Sequence, residues 1–198
     1  MASGYDFVIK QGETLEKTFY WYSGALVTKP ITAITLAYPP VFTAATHGLP
    51  TLEIPARLVS IVGPEELNTP DDEYVYLLKV DTNTFKAPEL NASGLSAYVS
   101  GGYLAYTPPK DLTGYTARMT IRRATSSTTP LAVLTSVAGD IVLTALEGAV
   151  TVTMDAADTA LLDFVTAVYD LELVLPGTPD YVKRLASGAI TLSRETTY

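Results

Sequence analysis

Hydrophobic and polar residues alternate along both ends of this chain, and a long Tyr/Pro-rich block separates the two stretches. Tyr5, Phe7 and Ile9 fall on one side and Asp6, Val8 and Lys10 on the other, the repeat of a half-buried strand. Gln11-Gly12-Glu13 supplies a turn. Leu15, Phe19 and Trp21 then share one face, with Glu16, Thr18, Tyr20 and Tyr22 opposite, so the two runs read as a hairpin. Past the turn Asp111-Leu112-Thr113-Gly114, the residues Tyr115, Ala117, Met119 and Ile121 alternate with Thr116, Arg118, Thr120 and Arg122. Further strands are predicted over 131–134, 141–144, 150–154, 169–175, 181–185 and 189–192. The only helix is predicted to start at Asp155 and run to Phe164, with the Asp155 carboxylate accepting from the first-turn amides.

The interruption covers residues 30–107. Prolines mark both of its ends, in Lys29-Pro30 and Thr107-Pro108-Pro109, as expected where one domain enters and leaves another. Inside it, β-prone runs over 31–36, 41–44, 57–62, 74–80, 84–87 and 98–106 are separated by turn residues such as Tyr38-Pro39-Pro40, Gly63-Pro64 and Gly101-Gly102. Short strands at such spacing predict a small barrel or sandwich. The expected organisation is all-β: an immunoglobulin-like β-sandwich from residues 1–29 and 108–198, interrupted by an inserted β module at 30–107.

Composition narrows the function classes. Charged residues make up 17% of the 198 positions, against roughly 25% in an average soluble protein, so part of the surface is expected to face other protein. The net charge of −8 disfavours a nucleic-acid partner, which needs a concentrated positive face. Only Arg122-Arg123 and Lys183-Arg184 pair basic residues. With no cysteine there is no disulfide, thiolate ligand or cysteine nucleophile. The uncharged runs 30–52 and 90–109 are broken by Pro, Gly, Ser and Thr, so neither is expected to cross a membrane. The first residues lack a basic start and an apolar run, which predicts no secretory signal and synthesis in the cytoplasm.

The segments Tyr5-Asp6-Phe7-Val8-Ile9-Lys10-Gln11-Gly12-Glu13-Thr14, Thr18-Phe19-Tyr20-Trp21, 111–122 (DLTGYTARMTIR) and Tyr169-Asp170-Leu171-Glu172-Leu173, in that succession, resemble the N-terminal β-sandwich of baseplate upper proteins and related virion proteins of tailed bacteriophages. The block, through Ile31-Thr32-Ala33-Ile34-Thr35, Thr46-His47-Gly48-Leu49, Glu66-Leu67-Asn68 and Tyr98-Val99-Ser100-Gly101-Gly102-Tyr103 among others, resembles a β module of phage structural proteins. That module is related in fold to the first catalytic-cysteine half-domain of ubiquitin-activating enzymes. The resemblance implies a structural virion protein, present in several copies in a tail, baseplate or head-tail junction. Its expected partners are other virion proteins and further copies of itself, not nucleic acid or membrane. A head-decorating protein and a host-glycan-binding accessory module are the alternatives. One departure stands out: the family continues Glu-Leu-Asn with a glycine, whereas Thr69-Pro70-Asp71-Asp72-Glu73 follows here, a loop expected to be longer and to face a partner.

Chemistry-bearing residues are sparse. His47, the single histidine, reads as a turn residue. Asp71-Asp72-Glu73 and Asp81-Thr82-Asn83 read as loop and turn rather than cation sites. Carboxylate pairs between Asp155, Asp158 or Asp163 and Asp170 or Glu172 are expected by chance in such a sequence. No catalytic, metal or cofactor residues are assigned, and no enzyme activity is expected. The stronger signal is 13 tyrosines against five phenylalanines and one tryptophan, since tyrosine suits interfaces. Tyr20, Tyr22, Tyr98, Tyr103 and Tyr106 are the candidate contact residues, with Tyr98, Tyr103 and Tyr106 as stacking platforms in the glycan alternative. The block carries 3 basic and 8 acidic residues, so its partner is expected to be comparatively basic.

Overall fold

The computed structural model describes residues 3–194; the outermost positions of the expected outer domain lie outside them. Strands β1 (Ser3–Gly4), β2 (Phe7–Lys10) and β3 (Leu15–Tyr20) come first. The chain then passes through β4 (Val27–Pro30), β5 (Ala33–Thr35), β6 (Val41–Thr43), β7 (Ile54–Val62), β8 (Val75–Lys79), β9 (Thr84–Lys86) and β10 (Ser100–Tyr106). It returns as β11 (Thr116–Arg122), β12 (Ala132–Thr135), β13 (Ile141–Thr144), β14 (Ala149–Met154), the helix α1 (Ala156–Ala160), β15 (Thr166–Leu175) and β16 (Tyr181–Ser193). The fold is all-β, as the alternation predicts. Two compact units result, one from Met1–Trp21 and Lys110–Tyr198, the other from Tyr22–Pro109.

The outer unit is a sandwich. One sheet runs β1-β16-β15-β11-β12, with β2 also paired to β16, and the other runs β13-β14-β3. Their inner faces meet in one core: Ile9, Met119, Ile121, Leu171, Leu173 and Ile190 from the first, Phe19, Ile141, Val150 and Val152 from the second. The expected hairpin of β2 and β3 is not formed. Glu13 donates its amide to Lys10 O at 3.2 Å, so the chain does turn. However, β2 runs parallel to β16, with Ile9 opposite Leu192, and β3 pairs with β14, Phe19 opposite Val150. The turn carries the chain from one sheet to the other, which lets the apolar sides of both strands enter the same core from opposite layers. It is held by Gln11, whose Nε2 donates to Ala160 O and Leu162 O at 3.1 Å each, and by buried Thr159, whose Oγ1 donates to Glu13 O at 2.8 Å.

Two other expectations for this unit change. The runs 181–185 and 189–192 form the single strand β16, paired along β15 with a bulge at Leu171/Glu172. At α1, Asp155 accepts through its backbone carbonyl, from the amides of Asp158 (3.0 Å) and Thr159 (2.9 Å), and its side chain makes no cap bond. With one turn and a half of helix, the main chain alone meets most of the need.

The N-terminal strands are tied to the C-terminal ones by aromatic contacts. The rings of Phe7 and Tyr169 meet edge-on at 5.0 Å, and those of Phe19 and Tyr169 lie tilted at 6.2 Å. Tyr169 Oη donates to Tyr5 O at 2.6 Å. Burial raises the Tyr169 phenol to about 12, with smaller contributions from Asp6, Tyr5 and Asp170.

The inner unit is one seven-stranded antiparallel sheet, β4-β10-β7-β8-β9-β6-β5, curled around a core that includes Phe42, Leu49, Ile54, Leu58, Leu77, Phe85 and Leu104. Phe42 and Phe85 face each other across β6 and β9 and stack at 5.1 Å. This unit begins at Tyr22 and not at residue 30, because β4 pairs with β10 and so belongs to the inner sheet. Pro30 ends an edge strand, where no neighbour needs its missing N–H. It therefore marks a sheet edge instead of a domain junction. The chain's exit and return are pinned within each unit. In the outer one, Trp21 N donates to Gly148 O (2.9 Å) and Lys110 N to Trp21 O (2.7 Å). In the inner one, Ser23 N donates to Pro108 O (3.0 Å).

Candidate functional site

The inner sheet has an outward face, and alternation decides what stands on it. Along β7, Ile54, Ala56 and Leu58 point into the core while Pro55, Arg57 and Val59 point out. On β10, Leu104 and Tyr106 are buried, leaving Tyr103 and Ala105 outside. On β8, Val75 and Leu77 are inside and Tyr76 is outside. Register places Ala105 beside both Thr28 and Arg57, and Tyr103 beside Val59. Thr28, Ala105 and Arg57 thus form a row across the middle of the face, with Tyr103 to one side of it and Tyr76, opposite Pro55, to the other. The outcome is a groove of about 830 Å³ lined by Tyr22, Leu26, Tyr74, Tyr76, Tyr103 and Arg57 among others, all from the inner unit.

Three of its rings are exposed, Tyr74 at 66%, Tyr76 at 47% and Tyr103 at 45%. Arg57 is fixed from one end: its Nη2 donates to Asp71 Oδ1 at 2.6 Å and to Pro70 O at 3.4 Å. Its Nε is buried and has no hydrogen-bond partner among the described residues. Asp71, Asp72 and Glu73 are all exposed beside the groove, where the sequence predicts a partner-facing loop.

The five candidate tyrosines divide. Tyr22, Tyr103 and Tyr106 come together at the groove. Tyr106 is its buried floor, with Oη donating to His47 O at 3.0 Å and the phenol raised above 10.0 by burial. Tyr98 is outside it, and Oη donates to Ile31 O (2.9 Å) and Gly101 O (2.8 Å), which supports the β10 entry. Tyr20 is in the outer unit, at a smaller depression with Tyr5 and Phe19. Of the three stacking platforms in the glycan alternative, only Tyr103 is exposed. Tyr74 and Tyr76 were missed. The sequence Tyr74-Val75-Tyr76-Leu77 carries the signal, since apolar Val75 and Leu77 claim the core side and leave both tyrosines outside.

The other chemistry-bearing residues are engaged in the fold. His47 is fully buried. Its Nδ1 accepts from Leu49 N at 3.0 Å, which leaves the proton on Nε2, within 2.8 Å of Asp81 O and 3.1 Å of Thr84 O. Asp81 caps its turn by accepting from the amides of Asn83 (2.7 Å) and Thr84 (2.8 Å), and these bonds hold its carboxyl below 3.8. Asp111 is lowered likewise by Thr113. Asp170 and Glu172 pair with Arg184 (3.1 Å) and Arg118 (2.7 Å), and Asp163 with Arg194 (2.9 Å). Arg122 donates to the carbonyls of Ser127 and Thr128, and Arg123 to that of Asp163. Among the described residues no three His, Cys, Asp or Glu side chains gather as a metal site, and no helix is long and apolar enough to cross a membrane. No family model matches this chain, and no curated protein does.

Proposed function

We propose that this chain is a structural protein of a tailed-bacteriophage virion, a multi-copy component of the tail, baseplate or head-tail junction. It mediates subunit contacts or fibre attachment and performs no catalysis. The observation that carries this reading is the outward face of the inner sheet, where exposed tyrosines border a groove instead of covering a core. Aromatic side chains give large contact area at little cost in ordering, and repetition of one such contact by symmetry multiplies a weak affinity. The virion assignment draws on the resemblance of the outer segments to phage sandwich domains. It is supported by the way those segments, far apart in sequence, close into one core.

The test is mass spectrometry of purified particles from the phage that encodes the chain, together with electron microscopy of particles made without it. The expected result is many copies per particle, and incomplete particles in its absence. Complete, infectious particles lacking the polypeptide would remove the proposal.

A further inference from the structure

We propose that the tyrosine-lined groove of the inner unit binds an extended, proline-containing segment of another protein that carries a basic residue. This rests on the reading of that groove as a protein contact surface and names its occupant.

Three observations select this occupant. First, the groove lies on a sheet face whose four strands β4, β10, β7 and β8 already pair with each other. An added strand therefore finds no main-chain partners there, and binding must use rings and side-chain donors. Second, Tyr74, Tyr76 and Tyr103 are exposed on this face, and their hydroxyls can donate to the carbonyls of an incoming chain. A polyproline-type segment has no internal hydrogen bonds, so its carbonyls are free to accept, while a helix has already used its own. Its proline rings, repeating three to a turn, lie flat against tyrosine faces, and aromatic grooves recognise it because its conformation is largely fixed before binding.

Third, the rim has a sign. Asp71 turns one carboxylate oxygen to Arg57, and its side chain is 96% exposed. Asp72 and Glu73 follow directly, with Glu73 adjacent to groove residue Tyr74. A Lys or Arg flanking the proline run meets this acidic loop, whereas an acidic neighbour is repelled. A neutral glycan stacks on the same rings but makes no use of that charge.

The experiment uses the full chain. A fluorescein-labelled decapeptide with two prolines three apart and one flanking arginine is titrated by anisotropy, and amide NMR shifts locate its site. A second peptide has the arginine replaced by glutamate, and maltohexaose is the carbohydrate probe. The expected result is saturable binding with shifts at Tyr74, Tyr76, Tyr103 and Arg57, and about tenfold weaker binding for the glutamate peptide. Tyr103→Ala weakens the arginine peptide about tenfold. Glu73→Lys, on the exposed loop, narrows or reverses the preference between the two peptides. Absence of peptide binding at about 1 mM, binding indifferent to both variants, or maltohexaose binding without the peptide would overturn the proposal. A chain found in the particle whose groove ignores the peptide loses only this occupant. A chain that binds the peptide but is missing from the particle loses only the virion assignment.

Discussion

Both units expose a sheet face, and the two faces are built differently. On the outer sandwich, β11, β15 and β16 carry alternating charges: Arg118 bonds Glu172 and Arg184 bonds Asp170. Exposed pairs of this kind contribute about 0–1 kcal/mol each, so they keep the face soluble without gluing it. On the inner sheet the corresponding positions hold Tyr76, Tyr103, Val59, Ala105 and Thr28 around a single arginine. One face spends its charges on pairs within itself, and the other presents exposed tyrosine rings and hydroxyls. The difference teaches that binding capacity is read from which side chains a face presents, more than from how apolar it is.

The units also differ in how they close. The outer unit joins residues very distant in sequence, as where Asp6 Oδ1 accepts from Ala189 N at 2.7 Å, while the inner sheet is built within the detour. An unstructured detour of roughly 90 residues costs the sandwich about 2.5–3 kcal/mol more in closure entropy than a short turn. A folded inner unit, its ends held by the Ser23–Pro108 bond, removes most of that cost.

The largest effect is therefore expected from Phe42→Ala. It empties a fully buried site stacked on Phe85, should cost the inner unit about 3–5 kcal/mol, and should weaken the outer sandwich as well when the detour loosens. Met119→Ala in the outer core should cost about 2–5 kcal/mol and leave the inner unit intact. Native-state hydrogen exchange read separately in the two sheets checks this asymmetry; equal effects of each variant on both units would break it.

Gly148→Val comes next. Gly148 sits at φ +60°, and a Cβ there would lie 2.6 Å from Trp21 O and 3.0 Å from Lys110 N. The strain should cost at least 1–3 kcal/mol, a figure on the order of other forced backbone conformations, and should raise exchange at the amides of Trp21 and Lys110 before any in the inner sheet.

Tyr169→Phe removes the bond to Tyr5 O and should cost about 1 kcal/mol. It should also change the alkaline limb. The folded phenol, raised to about 12 from 10.0, favours the protonated form. Its stabilising contribution is thus complete below pH 10 and lost as pH rises through the folded value. Denaturant midpoints measured up that range should fall less steeply in the variant than in the wild type.

The smallest effect is expected from Asp81→Asn in the inner unit. Because Asp81 is lowered from 3.8 by the amides of Asn83 and Thr84, its contribution is present above 3.8 and disappears as pH falls through the lower folded value. Asparagine keeps an acceptor oxygen but not the titration, so the variant should show a shallower loss as pH falls below 3.8, with Asp111 in the outer unit as the unchanged internal reference.

Much of this architecture was legible in the sequence. Alternation located the strands, since a period of two needs only local information, and the all-β class followed. What it could not supply was partnership. Gln11-Gly12-Glu13 makes the same chain reversal whether the strands it joins pair with each other or enter opposite layers, so the hairpin reading failed at β2 and β3. Pro30 reads as a junction in the sequence because a proline at a sheet edge and one at a domain boundary look alike until β10 is seen beside it. At the groove, Tyr22, Tyr103 and Tyr106 were singled out, but the tyrosine count alone could not separate Tyr106, spent on His47, from Tyr103, which is exposed. Tyr74 and Tyr76 were readable from their alternation with Val75 and Leu77. Arg57 was not, because its place in the groove depends on where Asp71 holds the guanidinium.

The most direct measurement is photo-crosslinking from position 103 inside assembled particles, with benzoylphenylalanine in place of Tyr103. The account predicts a covalent adduct to a different virion polypeptide, mapped to a proline-containing stretch with a neighbouring Lys or Arg. Particles that contain the chain yet give no adduct from this position would contradict it.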